Sequence, residues 1–110
     1  MEEMTWSKRE KEVARKAYRA AYERECTTIL ERVRRMAGKA NEPKALWEIH
    51  NYLTQRRKET DQKYEYRYSV LIEVFARLMV DGWLKAENLA GLSEDKLEKI
   101  RGLAQFTKRL

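Results

Sequence analysis

One proline and four glycines in 110 residues leave too few turn formers for a sheet, a barrel or a low-complexity linker, so helix is expected throughout. The lone Cys26 excludes an internal disulfide, and with the lone His50 it cannot complete a four-ligand zinc site. Large aliphatics are scarce as well. Leu, Ile, Val and Phe together number 22, near the border below which highly charged chains stop folding alone, so a large monomeric core is not expected. No apolar run approaches the roughly 18 residues of a membrane span. The opening Met1-Glu2-Glu3-Met4 is not that of a signal peptide, which makes the cytoplasm the expected location. Glycine-rich phosphate loops, GxSxG and HExxH are all missing from the sequence. His50 has no convincing nucleophile near it, so neither enzymatic activity nor a cofactor or metal is expected.

What the chain has instead is charge: 38% of its residues are charged and the formal net charge is +6. Residues 8–39 hold 11 Lys or Arg against 5 Asp or Glu, so the whole excess lies there. Ser7-Lys8-Arg9-Glu10 matches the S-x-x-E capping box and predicts a helix from about residue 8 to Gly38, with Gly38 as a left-handed C-cap. Tyr18, Tyr22, Cys26, Ile29, Val33 and Met36 share one stripe of that helix and are expected to be its buried face, Cys26 being a small core residue rather than a nucleophile. The basic excess has three readings: a solvated face of mixed ion pairs, a surface for an acidic protein partner, or a nucleic-acid surface.

Asn41-Glu42-Pro43 starts a second helix, because proline is tolerated in a first turn where its missing amide loses no partner. From Lys44 to Val80 there is no further glycine or proline, so a continuous helix would be roughly 55 Å long. It must project, or bend, a bend being expected between Asp61 and Arg67. Leu46, Ile49 and Leu53 open an apolar stripe that calls for a partner helix, whereas residues 54–63 are wholly polar. Beside the stripe, Trp47, His50, Thr54 and Arg57 fall within an arc of about 80°. They read either as core, satisfied polar and ion-paired residues, Arg57 with Asp61, or as a binding patch of the types enriched at hot spots.

Towards the C-terminus the apolar run 69–80 closes at Gly82, residues 87–92 form a turn or short helix, and Ser93 caps a last helix with Leu97, Ile100 and Leu103 inward. Phe75, Trp83, Leu89, Leu92 and Leu97 are the expected core of this small head. Lys96, Lys99 and Arg101 are expected on an outer basic edge, paired with Glu94, Asp95 and Glu98.

The run Leu46-Trp47-Glu48-Ile49-His50-Asn51-Tyr52-Leu53, followed by Arg57, Glu59, Asp61, Lys63-Tyr64 and Arg67, resembles the cyanobacterial fluorescence recovery protein family. The likeness continues upstream through Ala21-Tyr22-Glu23-Arg24-Glu25 and downstream through Ser69-Val70, Val74-Phe75-Ala76 and Asp95-Lys96, nearly the whole chain. It implies an all-α fold in which two long antiparallel helices (8–66) form an elongated homodimer, with a small C-terminal helical head (67–110). It also implies a non-enzymatic regulator that binds the photoactivated orange carotenoid protein, chiefly its C-terminal domain. Such a regulator speeds the red-to-orange reversion and release from the phycobilisome at the thylakoid, ending quenching. By the same resemblance Trp47, His50, Asn51, Arg57 and Lys99 contact the partner, and Leu46, Ile49, Leu53, Ile29 and Val33 form the dimer interface. Asn51 stands where a relative has Asp, which keeps an acceptor and loses a charge, and Glu73 stands where that relative has an aromatic residue. The competing class is a basic helical adaptor or nucleic-acid-binding protein.

Overall fold

In a computed structural model, which describes residues 4–110, four α-helices follow one another: α1 (Lys8–Lys39), α2 (Pro43–Lys63), α3 (Leu71–Val80) and α4 (Glu94–Lys108), with a 3₁₀ turn at Ala86–Leu89. The capping box forms as the sequence predicts. The Ser7 hydroxyl accepts from the Glu10 amide and the Glu10 carboxylate accepts from the Ser7 amide, both at 3.0 Å. Gly38 departs from expectation, since it lies inside the last turn and, among the described residues, only Gly82 and Gly91 have positive φ. The link to α2 explains why. Pro43 takes the first helical position, which pushes Glu42 before it into extended conformation, and Ala40, the C-cap of α1, is extended as well.

α2 does not run to Val80. It stops at Lys63, in the region where a bend was expected, and Tyr64 is extended at φ −92, ψ 95. Neither glycine nor proline causes the stop; the Tyr64-Glu65-Tyr66-Arg67-Tyr68 run does. Extended chain with period two sends three rings towards α1, where a helix would scatter them. Tyr64 meets Tyr18 and Tyr22 edge-on with centroids 5.5 and 5.2 Å apart, Tyr66 meets Tyr18 at 4.9 Å, and Tyr68 lies 5.6 Å from Trp6.

The core lies at one end of the molecule. Phe75, Leu71, Leu78, Leu89 and Ile100 are its largest fully enclosed side chains, and Leu84, Leu92 and Ala104 join them. Trp83 and Leu97 are only partly buried against it. The head is built on α1 as well as on residues 67–110, because Trp6, Val13, Ala14, Ala17 and Ala21 supply one wall. The buried face of α1 is thus a row of alanines and not the expected Tyr18-to-Met36 stripe, of which Tyr22 is exposed and the rest half-buried. Small side chains let helices approach closely, a signal that a search for large apolar residues misses.

α3 ends in a Schellman arrangement. Gly82 is left-handed at φ 86, its amide donates to the Met79 carbonyl at 3.1 Å, and the Trp83 amide donates to Leu78 at 2.9 Å. Gly91, at φ 111, lets its loop press on α1: a Cβ there would sit 2.7 Å from Val13 Cγ2. Gly91→Ala therefore combines backbone strain with overpacking and should cost about 2–4 kcal/mol, read as a lower thermal midpoint by circular dichroism. An unchanged midpoint would contradict this loop geometry.

Beyond the head, the second half of α1 and α2 form an antiparallel hairpin. The radius of gyration is 16.9 Å and the extents are 55 × 29 × 22 Å, against ~13 Å expected for a compact chain of this length.

Candidate functional site

α2 carries the candidate site. Tyr52 faces α1, its ring lying under Arg32 and Arg56 at 6.0 and 5.5 Å, and Thr60, near the other end of the helix, is the one buried residue of α2. The opposite side is uncovered: Leu46 is 58% exposed, Trp47 60% and Leu53 42%, while Ile49, Ile29 and Val33 are half-buried. At 100° per residue, Leu46, His50, Leu53 and Arg57 lie within an arc of about 60°. The expected interface residues and the expected binding residues of α2 therefore share one exposed stripe, edged by Trp47.

Within it the side chains are loosely organised. The Trp47 and His50 rings meet edge to face with centroids 6.1 Å apart. His50 Nδ1 approaches Asn51 Oδ1 at 3.5 Å, a contact at the outer limit of hydrogen bonding. Thr54 donates its hydroxyl to the His50 carbonyl at 2.9 Å. The Arg57 Nε–H donates to both Asp61 oxygens at 3.1 and 2.9 Å, the pairing expected at i and i+4, and the Asp61 carboxylate raises the guanidinium's pKa further. Arg57 is 80% exposed despite that partner, so the charge stays available to a second carboxylate.

Lys99 is not part of this cluster. It pairs with Asp95 at 3.3 Å on α4, whose N-terminus is tied to Glu10, whereas Ala45 and Glu48 of α2 flank the Arg35 to Lys39 end of α1. Those two levels are about 40 Å apart along α1 at 1.5 Å per residue. Arg101 pairs with Glu94 at 2.9 Å, as expected. Lys96 does not belong to the outer basic edge: it is buried, with its ammonium 3.1 Å from both Glu10 oxygens, 2.7 Å from the Thr5 carbonyl and 4.9 Å from the Trp6 ring centroid.

A second, largely enclosed charge was also hidden in the polar run 54–63. Lys63 Nζ reaches Glu25 at 2.7 Å and Asp81 at 3.0 Å, and the Tyr64 hydroxyl donates to Glu25 Oε1 at 2.9 Å, joining α1, α2 and the end of α3. Burial, and then the Glu25 carboxylate, push the Tyr64 phenol well above its ordinary value, so it remains a donor. Cys26 is half-buried, consistent with a packing role at the edge of this node.

The chain's likenesses agree with this architecture. The family model described as "Photoprotection regulator fluorescence recovery protein" matches residues 6–104. A curated relative, the fluorescence recovery protein of Synechocystis sp. PCC 6803, is 40% identical over 104 residues, covering 94% of this chain and 95% of its own. The solved structure of the Fremyella diplosiphon fluorescence recovery protein superposes with a TM-score of 0.87 at 46% identity, over 92% of this chain and 99% of that one. The Synechocystis structure gives the same TM-score of 0.87 at 40% identity, with the same coverage of 92% and 99%. Among the described residues no helix is long and apolar enough to cross a membrane.

Proposed function

The chain belongs to the fluorescence recovery protein family of photoprotection regulators, and on that premise we propose that it binds the photoactivated orange carotenoid protein and accelerates its red-to-orange reversion. In this reading it acts as a homodimer on the partner's C-terminal domain, promotes release from the phycobilisome near the thylakoid surface in the cytoplasm, and performs no covalent chemistry. Trp47, His50, Asn51, Arg57 and Lys99 contact the partner, while Leu46, Ile49, Leu53, Ile29 and Val33 close the dimer.

The observation that carries the proposal is the uncovered α2 stripe, where apolar Leu46, Trp47 and Leu53 adjoin a half-neutralised Arg57. Apolar area leaves water only if something covers it, and Trp and Arg are the residue types most enriched at the hot spots of protein interfaces. A reversion that the photoreceptor already undergoes is accelerated by holding the transition arrangement of its domains more tightly than its red state. Arg57 supplies charge for that contact and Trp47 supplies area. Asn51 offers a hydrogen bond without a net charge.

The direct test is to mix the protein with the red photoreceptor in darkness and follow the absorbance with time. Wild type should speed the return. Arg57→Leu should slow it about tenfold or more, since truncating one partner of an interfacial charge pair costs ~2 kcal/mol or more, with the dimer intact by light scattering. Recovery at the wild-type rate would sink the assignment of Arg57.

A further inference from the structure

The expected face of mixed ion pairs on α1 does not form. Eleven of the 24 Lys and Arg residues sit on this helix, and among the described residues none of them pairs with a carboxylate, whereas nine of the remaining thirteen do. The helix's own acids are partly diverted: Glu10 turns inward to Lys96 and Glu25 to Lys63. The uncompensated charge is also ordered. Lys8, Lys11, Arg15 and Arg19 follow one another at steps of three, four and four residues, on the side of α1 away from buried Ala14, Ala17 and Ala21, in a row about 16 Å long.

Two of these cations are held in place. The Lys11 ammonium stands 5.3 Å from the centroid of the Tyr68 ring and the Arg15 guanidinium 5.6 Å from that of Tyr66. The row borders a shallow groove of about 670 Å³, with Lys16 on its far side and Tyr68 at its edge. Cations already ordered on aromatic faces lose less rotamer freedom when a ligand arrives.

We propose that this stripe is a docking surface for an acidic helical segment of a protein partner, one that carries Asp or Glu at three- and four-residue steps. The match is one of charge and register: a helix laid along α1 presents carboxylates at the spacing at which Lys8, Lys11, Arg15 and Arg19 present cations. Nucleic acid fits less well. Glu12 and Glu23 line the same groove and repel phosphate, while they can pair with basic residues of a protein. Tyr66 and Tyr68 each have a ring face taken by Arg15 or Lys11, a face that base stacking would have to win from the cation. The surface is separate from the α2 stripe, since Arg19 is about 30 Å along α1 from the hairpin end where Trp47 lies, and its use does not depend on the photoreceptor reading.

The test is fluorescence anisotropy with the full chain and two labelled alanine-based peptides of equal composition. One places four Glu along one helical face and the other distributes them around the helix. The aligned peptide should bind about tenfold more tightly than the distributed one, and that preference should vanish in Lys11→Gln/Arg15→Gln/Arg19→Gln, whose neutral side chains keep helix propensity. Circular dichroism of the variant confirms its fold. Equal affinity for the two peptides, a preference that survives in the variant, or tighter binding to duplex DNA or anionic vesicles than to the aligned peptide would each overturn the proposal.

Discussion

Glu10→Gln is expected to lower the thermal midpoint by roughly 12–25 °C, from a loss of about 3–5 kcal/mol. One carboxylate here serves two helices and a buried cation. Oε1 accepts the Ser7 amide at 3.0 Å, closing the N-terminus of α1, and Oε2 accepts the Ser93 amide at 2.9 Å, at the N-terminus of α4. The Lys96 ammonium lies 3.1 Å from both oxygens. A glutamine retains one acceptor and turns an NH₂ towards donors, leaving the ammonium uncompensated in a buried place. Lys96→Met in the same chain removes that stranded charge and should restore much of the loss. A single-variant midpoint within about 3 °C of the parent would exclude this role for Glu10.

The same carboxylate gives the stability a pH signature. Burial by itself raises the Glu10 pKa, but the Ser7 and Ser93 amides and then Lys96 outweigh it, holding the group at about 2 against an ordinary 4.5. Because the folded-state pKa is the lower one, its contribution is complete above pH 4.5 and is lost as pH falls from there towards 2. Acid titrations of parent and Glu10→Gln should therefore converge across that window.

Features governed by neighbours in sequence were legible: the Ser7–Glu10 box, Pro43 at the start of α2, Gly82 after α3 and Ser93 before α4. So was the exposed side of α2, because the 3.6-residue period alone puts Leu46, His50, Leu53 and Arg57 within about 60° of one another. Decisions made by distant partners were not legible. Lys63 and Lys96 read as solvated because their carboxylates, Glu25 and Glu10, lie 38 and 86 residues away in sequence. The alanine face of α1 was overlooked because the head, which covers it, has to be assembled before small residues become the buried ones. The end of α2 did have a sequence signal, the Tyr-x-Tyr-x-Tyr alternation, but two periods competed there and aromatic packing on α1 decided between them. Lys99 was assigned by the family resemblance alone, and its distance from the α2 patch depends on where the head sits.

On the proposed dimer, Leu46→Glu should leave a folded monomer at micromolar concentration. α2 contributes no apolar residue to the monomer's core, and Leu46, Trp47 and Leu53 remain largely in water. Enclosing a leucine contributes about 1.5–3 kcal/mol, and a two-fold interface uses each position twice. A carboxylate at that place adds the cost of desolvating a charge. Together these weaken association by roughly 4 kcal/mol or more, about a thousandfold in dissociation constant. The head should be untouched, since Leu46 is absent from its core, and the thermal midpoint of the variant should then reflect α1, α3 and α4 packing alone. Light scattering coupled to size exclusion reads the mass. A variant that stays dimeric would place the interface elsewhere and detach Ile49, Leu53, Ile29 and Val33 from it. A monomer that still speeds the photoreceptor's recovery would separate two roles that share one stripe: Leu46 and Leu53 for assembly, Trp47 and Arg57 for the partner.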